Sequence, residues 1–339
     1  KQRRLKASGV AMKYVSLGKR GPKVSAVGIG FWEVGSRSWG GSPEAAKSIV
    51  NKALELGINF FDTAEVYGYG KSERALGEAI SYAGAKNAVV IATKVAGFRP
   101  FAYFILKAAE VSKRRLGVTP ALLQLHWPPP AWIPLCTAVR GLELAAEKGL
   151  AENIGVSNFP GGLLEKAMYC TKRLEIVSDQ VEYSLAYRLP EVDVFPVANK
   201  LGVSVIAYSP LAKGGLAGAK PSKPIQRLDP RFSASLNDKN LQEAIRLVSS
   251  RRGVPSSVVS LAWIVNKGAI PIPGTTKPER VHDFAAAASL NLTDEEVLLL
   301  DRASAVYVTR WGRRYSNLRW ARFVPCALQY LGIRAIGGA

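Results

Sequence analysis

The stretch GINFFDTAEVYGYGKSE, residues 57–73, decides how this chain is read. Ile58 to Phe61 form a short apolar run of the kind a buried parallel strand needs. The run ends in Asp62, and Tyr67 follows five positions later among glycines. Packing alone does not demand an ionisable residue at the end of a buried strand. The pattern points to a site at a strand's C-terminal end.

Outward from this stretch the chain alternates. Strand-like runs recur at 24–30, 58–64, 89–95, 122–127, 153–158, 176–183, 203–210 and 269–274. Helical segments fall between them, near 43–56, 73–81, 102–116, 135–148, 161–170, 191–200, 256–266 and 278–288. Ser42 is a plausible N-cap for the first, with Pro43 at its first position. Eight strands alternating with eight helices predict an α/β fold of the (β/α)₈ barrel type, and residues 24–290 match its usual length of about 250. A doubly wound sheet is the rival, but no G-x-G-x-x-G opens a helix after the first strand. Ahead of the barrel, residues 13–24 (KYVSLGKRGPKV) predict a hairpin across its bottom. Thr293 to Glu296 (TDEE) predicts a capping box on one further helix. The expected organisation is a basic extension over 1–11, one barrel over 12–305, and an Arg- and aromatic-rich tail over 306–339.

Composition narrows the function. At 339 residues and 48% hydrophobic content the chain can bury a large core. No run approaches the roughly 20 apolar residues of a membrane span, and no apolar stretch follows the basic N-terminus, so the expected location is the cytoplasm. The three cysteines, Cys136, Cys170 and Cys326, are far apart and lack a C-x-x-C, which indicates neither zinc nor a disulfide framework. With two histidines in all, a metal is not expected. The net charge of +20 raises nucleic acid as a partner, but residues 1–23 and 302–339 supply +15 of it and leave +5 for the body. Nucleic-acid binding is therefore not the expected activity.

Chemistry in such a barrel collects where strands end at the C-terminal face. Along that rim stand Asp62 and Tyr67 after the second strand, Lys94 after the third and His126 after the fourth. Together with GINFFDTAEVYGYGKSERALG, IATKV, LLQLHWP, IGVSNF, VIAYSPLAKGG and IPGTTKPERV, in that order, this constellation resembles the aldo-keto reductase superfamily over roughly residues 13–300. The resemblance implies NADPH-dependent reduction of small aldehydes or ketones, with Asp62, Tyr67, Lys94 and His126 as a catalytic tetrad.

The residue types suit that chemistry in their own right. Hydride addition to a carbonyl builds charge on oxygen, so a proton donor must stand beside it. Tyr67 can supply the proton. Its ordinary pKa of about 10 is expected to be lowered by the Lys94 ammonium, which Asp62 holds, while His126 orients the carbonyl.

For the cofactor, the resemblance implies that Ser157, Asn158 and Gln180 contact the nicotinamide amide and that Tyr208 stacks on its ring. Ser209, Pro210, Leu211, Lys213 and Gly214, with Gly274, Thr275 and Thr276, would carry the pyrophosphate and ribose. Gly30, Phe31, Trp32, Asp62 and Ile272 are further expected contacts. Lys277, Arg280 and Asp283 are expected at the adenosine end, with Arg280 against the 2′-phosphate. Trp32, Tyr67, Phe98, His126 and Trp127 are expected to line the substrate pocket, with Trp39 a further candidate. The tail is expected to dock on the barrel with an aromatic over the pocket mouth. Two other classes remain open. One is a regulatory or cofactor-sensing subunit of the same fold with low turnover; the other is an anionic partner bound by the basic ends. Oligomeric state and substrate identity are not legible.

Overall fold

The computed structural model describes residues 12–35, 42–218, 229–311 and 323–335. The basic extension, Trp39 and the centre of the tail lie outside them.

The chain opens with the antiparallel hairpin β1 (Tyr14–Ser16) and β2 (Lys23–Ser25), in which Val15 faces Val24. Eight parallel strands follow, each paired with its sequence neighbour. They are β3 (Ile29–Gly30), β4 (Phe60–Asp62), β5 (Val90–Val95), β6 (Leu122–Leu125), β7 (Asn153–Ser157), β8 (Ile176–Glu182), β9 (Ser204–Tyr208) and β10 (Ile270–Pro271). The first expected strand, 24–30, is thus two. Residues 23–25 pair with the hairpin and only 29–30 enter the barrel.

The sheet closes on itself through Gly30, bridged in parallel to Gly274, with the amides of Gly28 and Gly30 donating to the carbonyls of Pro271 and Pro273. Position 30 requires glycine, because a Cβ there would stand 2.9 Å from the carbonyl oxygen of Ile272. The barrel interior is packed by Phe60, Ala92, Leu122, Val177, Ile206, Ile270 and Ile272, joined by Leu17 and Val24 from the hairpin. The hairpin therefore plugs the bottom. Larger apolar clusters fill the space between the sheet and the helices, and each fully buried Phe, Leu or Ile there stabilises the fold by roughly 1.5–3 kcal/mol.

The helices form the outer layer. In chain order they are α1 (Trp32–Gly35), α2 (Pro43–Glu55), α3 (Lys71–Tyr82), α4 (Ala102–Leu116), α5 (Leu135–Glu147), α6 (Gly161–Cys170), α7 (Pro190–Asp193) and α8 (Phe195–Leu201). After β9 come α9 (Pro230–Asn237), α10 (Lys239–Arg252) and α11 (Ser256–Asn266); after β10 come α12 (Val281–Ser289), α13 (Asp294–Ala303) and α14 (Cys326–Ala335). Ser42 caps α2 by accepting from the Ala45 amide at 3.1 Å. Thr293 and Glu296 form the expected capping box on α13. Helices α9 and α10 were not expected. Their signals were present, since Asp229 and Asp238 are the N-caps and Pro230 opens α9.

The cysteine expectation is overturned. Cys136 on α5 and Cys170 on α6 form a disulfide across 34 residues of sequence. No spacing rule announces it, because the packing of α5 against α6 is what brings the two sulfurs together. Among the described residues no helix is long and apolar enough to cross a membrane, and no group of His, Cys, Asp or Glu is placed to hold a metal.

Candidate active site

Register across the sheet gathers the rim residues. Gly30 pairs with Asp62 and Asp62 with Ala92, while Lys94 pairs with Gln124 and Ser157 with Gln180. Alternation then directs the side chains of Asp62, Lys94, Gln124 and Gln180 to one place. All four are at least 98% buried.

Lys94 is the hub. Its ammonium donates to Asp62 Oδ1 at 2.5 Å, to the Thr63 carbonyl at 2.8 Å and to the Tyr67 hydroxyl at 3.4 Å, so its three N–H bonds have three acceptors. Asp62 Oδ2 accepts from Gln180 at 2.8 Å and from Gln124 at 3.4 Å. Gln124 went unrecognised in the sequence, and Gln180 was assigned to nicotinamide, yet its amide donates to Asp62. Burial lowers the Lys94 pKa, but the charge of Asp62, with Tyr67 and the hydrogen bonds to both, more than reverses this and leaves it raised.

Tyr67 lies in the turn Tyr67–Gly70, its ring edge-on to His126 with centroids 5.5 Å apart. Here the electrostatics differ from expectation. Burial raises the phenol pKa more than the Lys94 charge lowers it, and Asp62 adds to the rise. The hydroxyl is therefore held protonated. His126 is pushed well below its ordinary pKa, first by burial and then by Lys94, so its ring is neutral. Its Nδ1 is buried without a hydrogen-bond partner among the described residues.

The remaining expected residues separate into two groups. Asn158, in the left-handed conformation at φ 63°, donates to the His126 carbonyl at 2.9 Å and accepts from the Tyr208 hydroxyl at 2.9 Å. Ser157 donates to the Gln180 carbonyl at 2.7 Å. The segment after β9 carries positive φ at Ser209, Ala212 and Lys213, followed by Gly214. Left-handed backbone at three non-glycine residues carries strain, and amides in such a turn can point toward an anion. Trp127, 6% exposed, packs on His126 at 4.9 Å and on Phe98 at 6.1 Å, and Trp32 is half-buried on α1.

Other expected contacts stand elsewhere. Phe31 is wholly buried and packs edge-on against Phe61 at 5.9 Å, in the core behind the strands. Pro210 and Ile272 are also buried. Asp283 accepts from Ser257 at 3.1 Å, tying α12 to α11. Thr275 shapes its own turn, accepting from the Lys277 amide at 3.0 Å. Arg280 is exposed at the end of the turn Pro278–Arg280.

Two features escaped the sequence reading, and the tail, expected to dock, makes contacts of its own. Glu33 on α1 reaches the segment ahead of this turn, where a Cβ on Gly274 would meet its carboxylate at 3.2 Å. Burial raises Glu33 to about 6, with Arg280 pulling it back. Lys213 pairs with Asp229 at 2.5 Å, and Asp229 pairs with Arg231, which also binds Glu182 beside Tyr208. From the tail, Gln329 on α14 accepts from the Trp127 indole at 2.9 Å, Tyr330 packs edge-on to Phe98 at 6.2 Å, and the Trp311 indole donates to the Ala186 carbonyl at 2.7 Å.

The model of the Aldo/keto reductase family matches residues 26–305. An uncharacterized oxidoreductase of Mycobacterium tuberculosis is 35% identical over 324 residues, covering 91% of this chain and 98% of its own. Chloroplastic pyridoxal reductase of Arabidopsis thaliana is 33% identical over 312 residues, covering 84% and 85%. Among solved structures, an aldo-keto reductase from Klebsiella pneumoniae in complex with NADPH superposes with a TM-score of 0.73 at 28% identity, covering 91% of this chain and 99% of that one. Glycerol dehydrogenase from Gluconobacter oxydans gives 0.76 at 28% identity, covering 87% and 96%. With its barrel, its rim and a match over most of its length, this chain belongs to the aldo/keto reductase family of oxidoreductases.

Proposed function

We propose that this protein transfers hydride between NADPH and small aldehydes or ketones, with Tyr67 as proton donor. The observation that carries the reading is the placement of Lys94 Nζ between Asp62 and the Tyr67 hydroxyl, beside the neutral ring of His126. The residues fit a nicotinamide cofactor on two counts. The left-handed loop 209–214 can cradle phosphates, and Tyr208 and Asn158 stand together next to His126. The Klebsiella pneumoniae structure, similar along nearly its whole length, holds NADPH.

Bound NADPH would supply the hydride to the carbonyl carbon. As charge develops on the carbonyl oxygen, Tyr67 gives its proton to that oxygen and the product leaves as an alcohol. Lys94 then stabilises the phenolate, and Asp62 keeps Lys94 charged and pointed at it. Gln124 and Gln180 fix Asp62, so the carboxylate needs no reorientation when the phenolate forms. His126, neutral at working pH, directs the carbonyl by hydrogen bonding. Trp127, Phe98 and Trp32 supply apolar walls. A panel of aldehydes and ketones assayed by loss of NADPH absorbance tests the reading. Turnover that Tyr67→Phe removes supports it; tight NADPH binding without turnover of any carbonyl overturns it in favour of a cofactor-sensing subunit.

A further inference from the structure

A cavity of about 450 Å³ opens beside the segment that carries Tyr67, and it contains charge that carbonyl reduction itself does not use. It is lined by Glu65, Tyr69, Phe98, Arg99, Arg115 and Tyr330, among others. Glu65 and Tyr69 flank Tyr67 in the chain. Phe98, in the cavity wall, packs on Trp127, which packs on His126, with successive centroids 6.1 and 4.9 Å apart. Tyr330 of α14 also lines it, edge-on to Phe98 at 6.2 Å. The volume suits a small ring-bearing ligand.

The two arginines differ. Arg99 binds in a fork, Nη1 and Nη2 meeting the two oxygens of Glu65 at 2.5 and 2.7 Å, with Nη1 also donating to the Ala96 carbonyl at 3.2 Å. That pairing also neutralises Glu65, the carboxylate in the cavity wall. Arg115, in the last turn of α4, gives only Nη1 to Glu73, at 3.0 Å, and its Nε and Nη2 have no hydrogen-bond partner among the described residues. Its side chain is 23% exposed, and the guanidinium stands in the cavity wall.

The position of Arg115 is built in. The guanidinium lies on Gly70, where a Cβ would stand 2.3 Å from Cζ, and Gly70 adopts φ 81°. Glu73 cannot swing away with it, because the Thr93 hydroxyl holds the other carboxylate oxygen at 2.7 Å. A guanidinium held in this way offers a donor edge matched to two oxygens of a carboxylate or phosphate.

We infer that the carbonyl substrates of this protein carry an anionic group, a carboxylate or phosphate, on a flat body. Arg115 holds the anion while Tyr69, Phe98 and Tyr330 enclose the body. The inference rests on the reductase reading above and names the substrate class of that site.

Initial rates with NADPH compare 4-carboxybenzaldehyde with 4-methylbenzaldehyde, which differ little in size. The expected kcat/KM favours the acid by about tenfold or more, a factor worth about 1.4 kcal/mol. Arg115→Gln should bring the ratio close to unity, with Arg115→Lys between. Equal values in the wild-type protein, or a ratio that survives Arg115→Gln, overturns the inference. The wild-type protein also gives a test that needs no variant, since a 4-trimethylammonio aldehyde should be the poorest of the three and overturns the inference if it equals the acid. Calorimetry with terephthalate and with phenyl phosphate reads the site without turnover and shows which anion it prefers. Arg115-dependent binding of either supports the anion site even where neither aldehyde is reduced, an outcome that would defeat the reductase reading alone. Reduction of both aldehydes with no dependence on Arg115 defeats the anion site alone.

Discussion

Lys94 Nζ lies 2.5 Å from Asp62 Oδ1 with both side chains almost wholly buried. An ion pair so placed is held by geometry and by additional hydrogen bonds, because desolvation offsets much of its Coulomb attraction. Gln180, Gln124 and the Thr63 carbonyl supply those bonds. Within the pair the Lys94 ammonium is therefore a fixed donor to the Tyr67 hydroxyl, its charge balanced by Asp62.

Tyr67→Phe is expected to lower kcat for carbonyl reduction by orders of magnitude while leaving the NADPH dissociation constant almost unchanged. Near-normal turnover in that variant would reject the assignment.

The pH profile of the wild-type protein follows from the same groups. Tyr67 is raised above its ordinary pKa of about 10, and His126 is lowered well below its ordinary value of about 6.5. Neither group changes charge near neutrality, so kcat/KM for reduction should be level from about pH 6.5 to 9. A rate that falls by half around pH 6.5 at saturating NADPH, in the wild type and equally in Glu33→Gln, would count against a neutral His126.

Arg280 and Glu33 set an expectation for cofactor choice. If the 2′-phosphate pairs with Arg280, Arg280→Ala should weaken NADPH by roughly 1.5–3 kcal/mol and leave NADH nearly untouched. Glu33 is a carboxylate with its pKa raised to about 6, so it is ionised above that pH and neutral below it. When ionised it competes for Arg280 and repels phosphate. Glu33→Gln should therefore tighten NADPH by roughly threefold to tenfold above pH 6. Below pH 6 the two proteins should bind alike, since wild-type Glu33 is then neutral itself. Fluorescence titration at several pH values separates this from titration of the phosphate, which both proteins share.

Gln329 and Tyr330 both tie α14 to the barrel, the first by a buried hydrogen bond. Gln329→Leu leaves the Trp127 indole N–H buried without its acceptor, which costs about 1–3 kcal/mol. The variant should lose the tail to limited proteolysis faster than the wild type and show a higher KM for carbonyl substrates. Unchanged proteolysis and kinetics, in this variant and in a truncation after Trp311, would separate α14 from the pocket.

The Cys136–Cys170 disulfide closes a loop of 34 residues. By the chain-entropy account it stabilises the fold by about 3–4 kcal/mol. Dithiothreitol should then lower Tm by roughly 5–10 °C, and Cys136→Ser should show the lower Tm with or without the reductant. Equal melting of the wild-type protein under both conditions would remove the bond's stabilising role.

The sequence by itself determined the barrel. Strand and helix periods are local properties, and eight alternations of the two leave little choice of architecture. Asp62, Lys94 and His126 were legible for a related reason, because each is a polar residue at the end of an apolar run, and in a barrel all such ends meet on one face. Local pattern stopped where contacts depend on distant packing. Gln124 looked like any polar residue in a strand until register set it beside Asp62. Glu33 carried no signal of its own, and the closure of β3 on β10 brought it to Gly274. Cys136 and Cys170 share no motif, and α5 and α6 had to pack before they met. The direction of the Tyr67 shift likewise belonged to the tertiary structure, because one neighbouring charge was visible in the sequence, whereas the burial that outweighs it is a property of the whole folded rim.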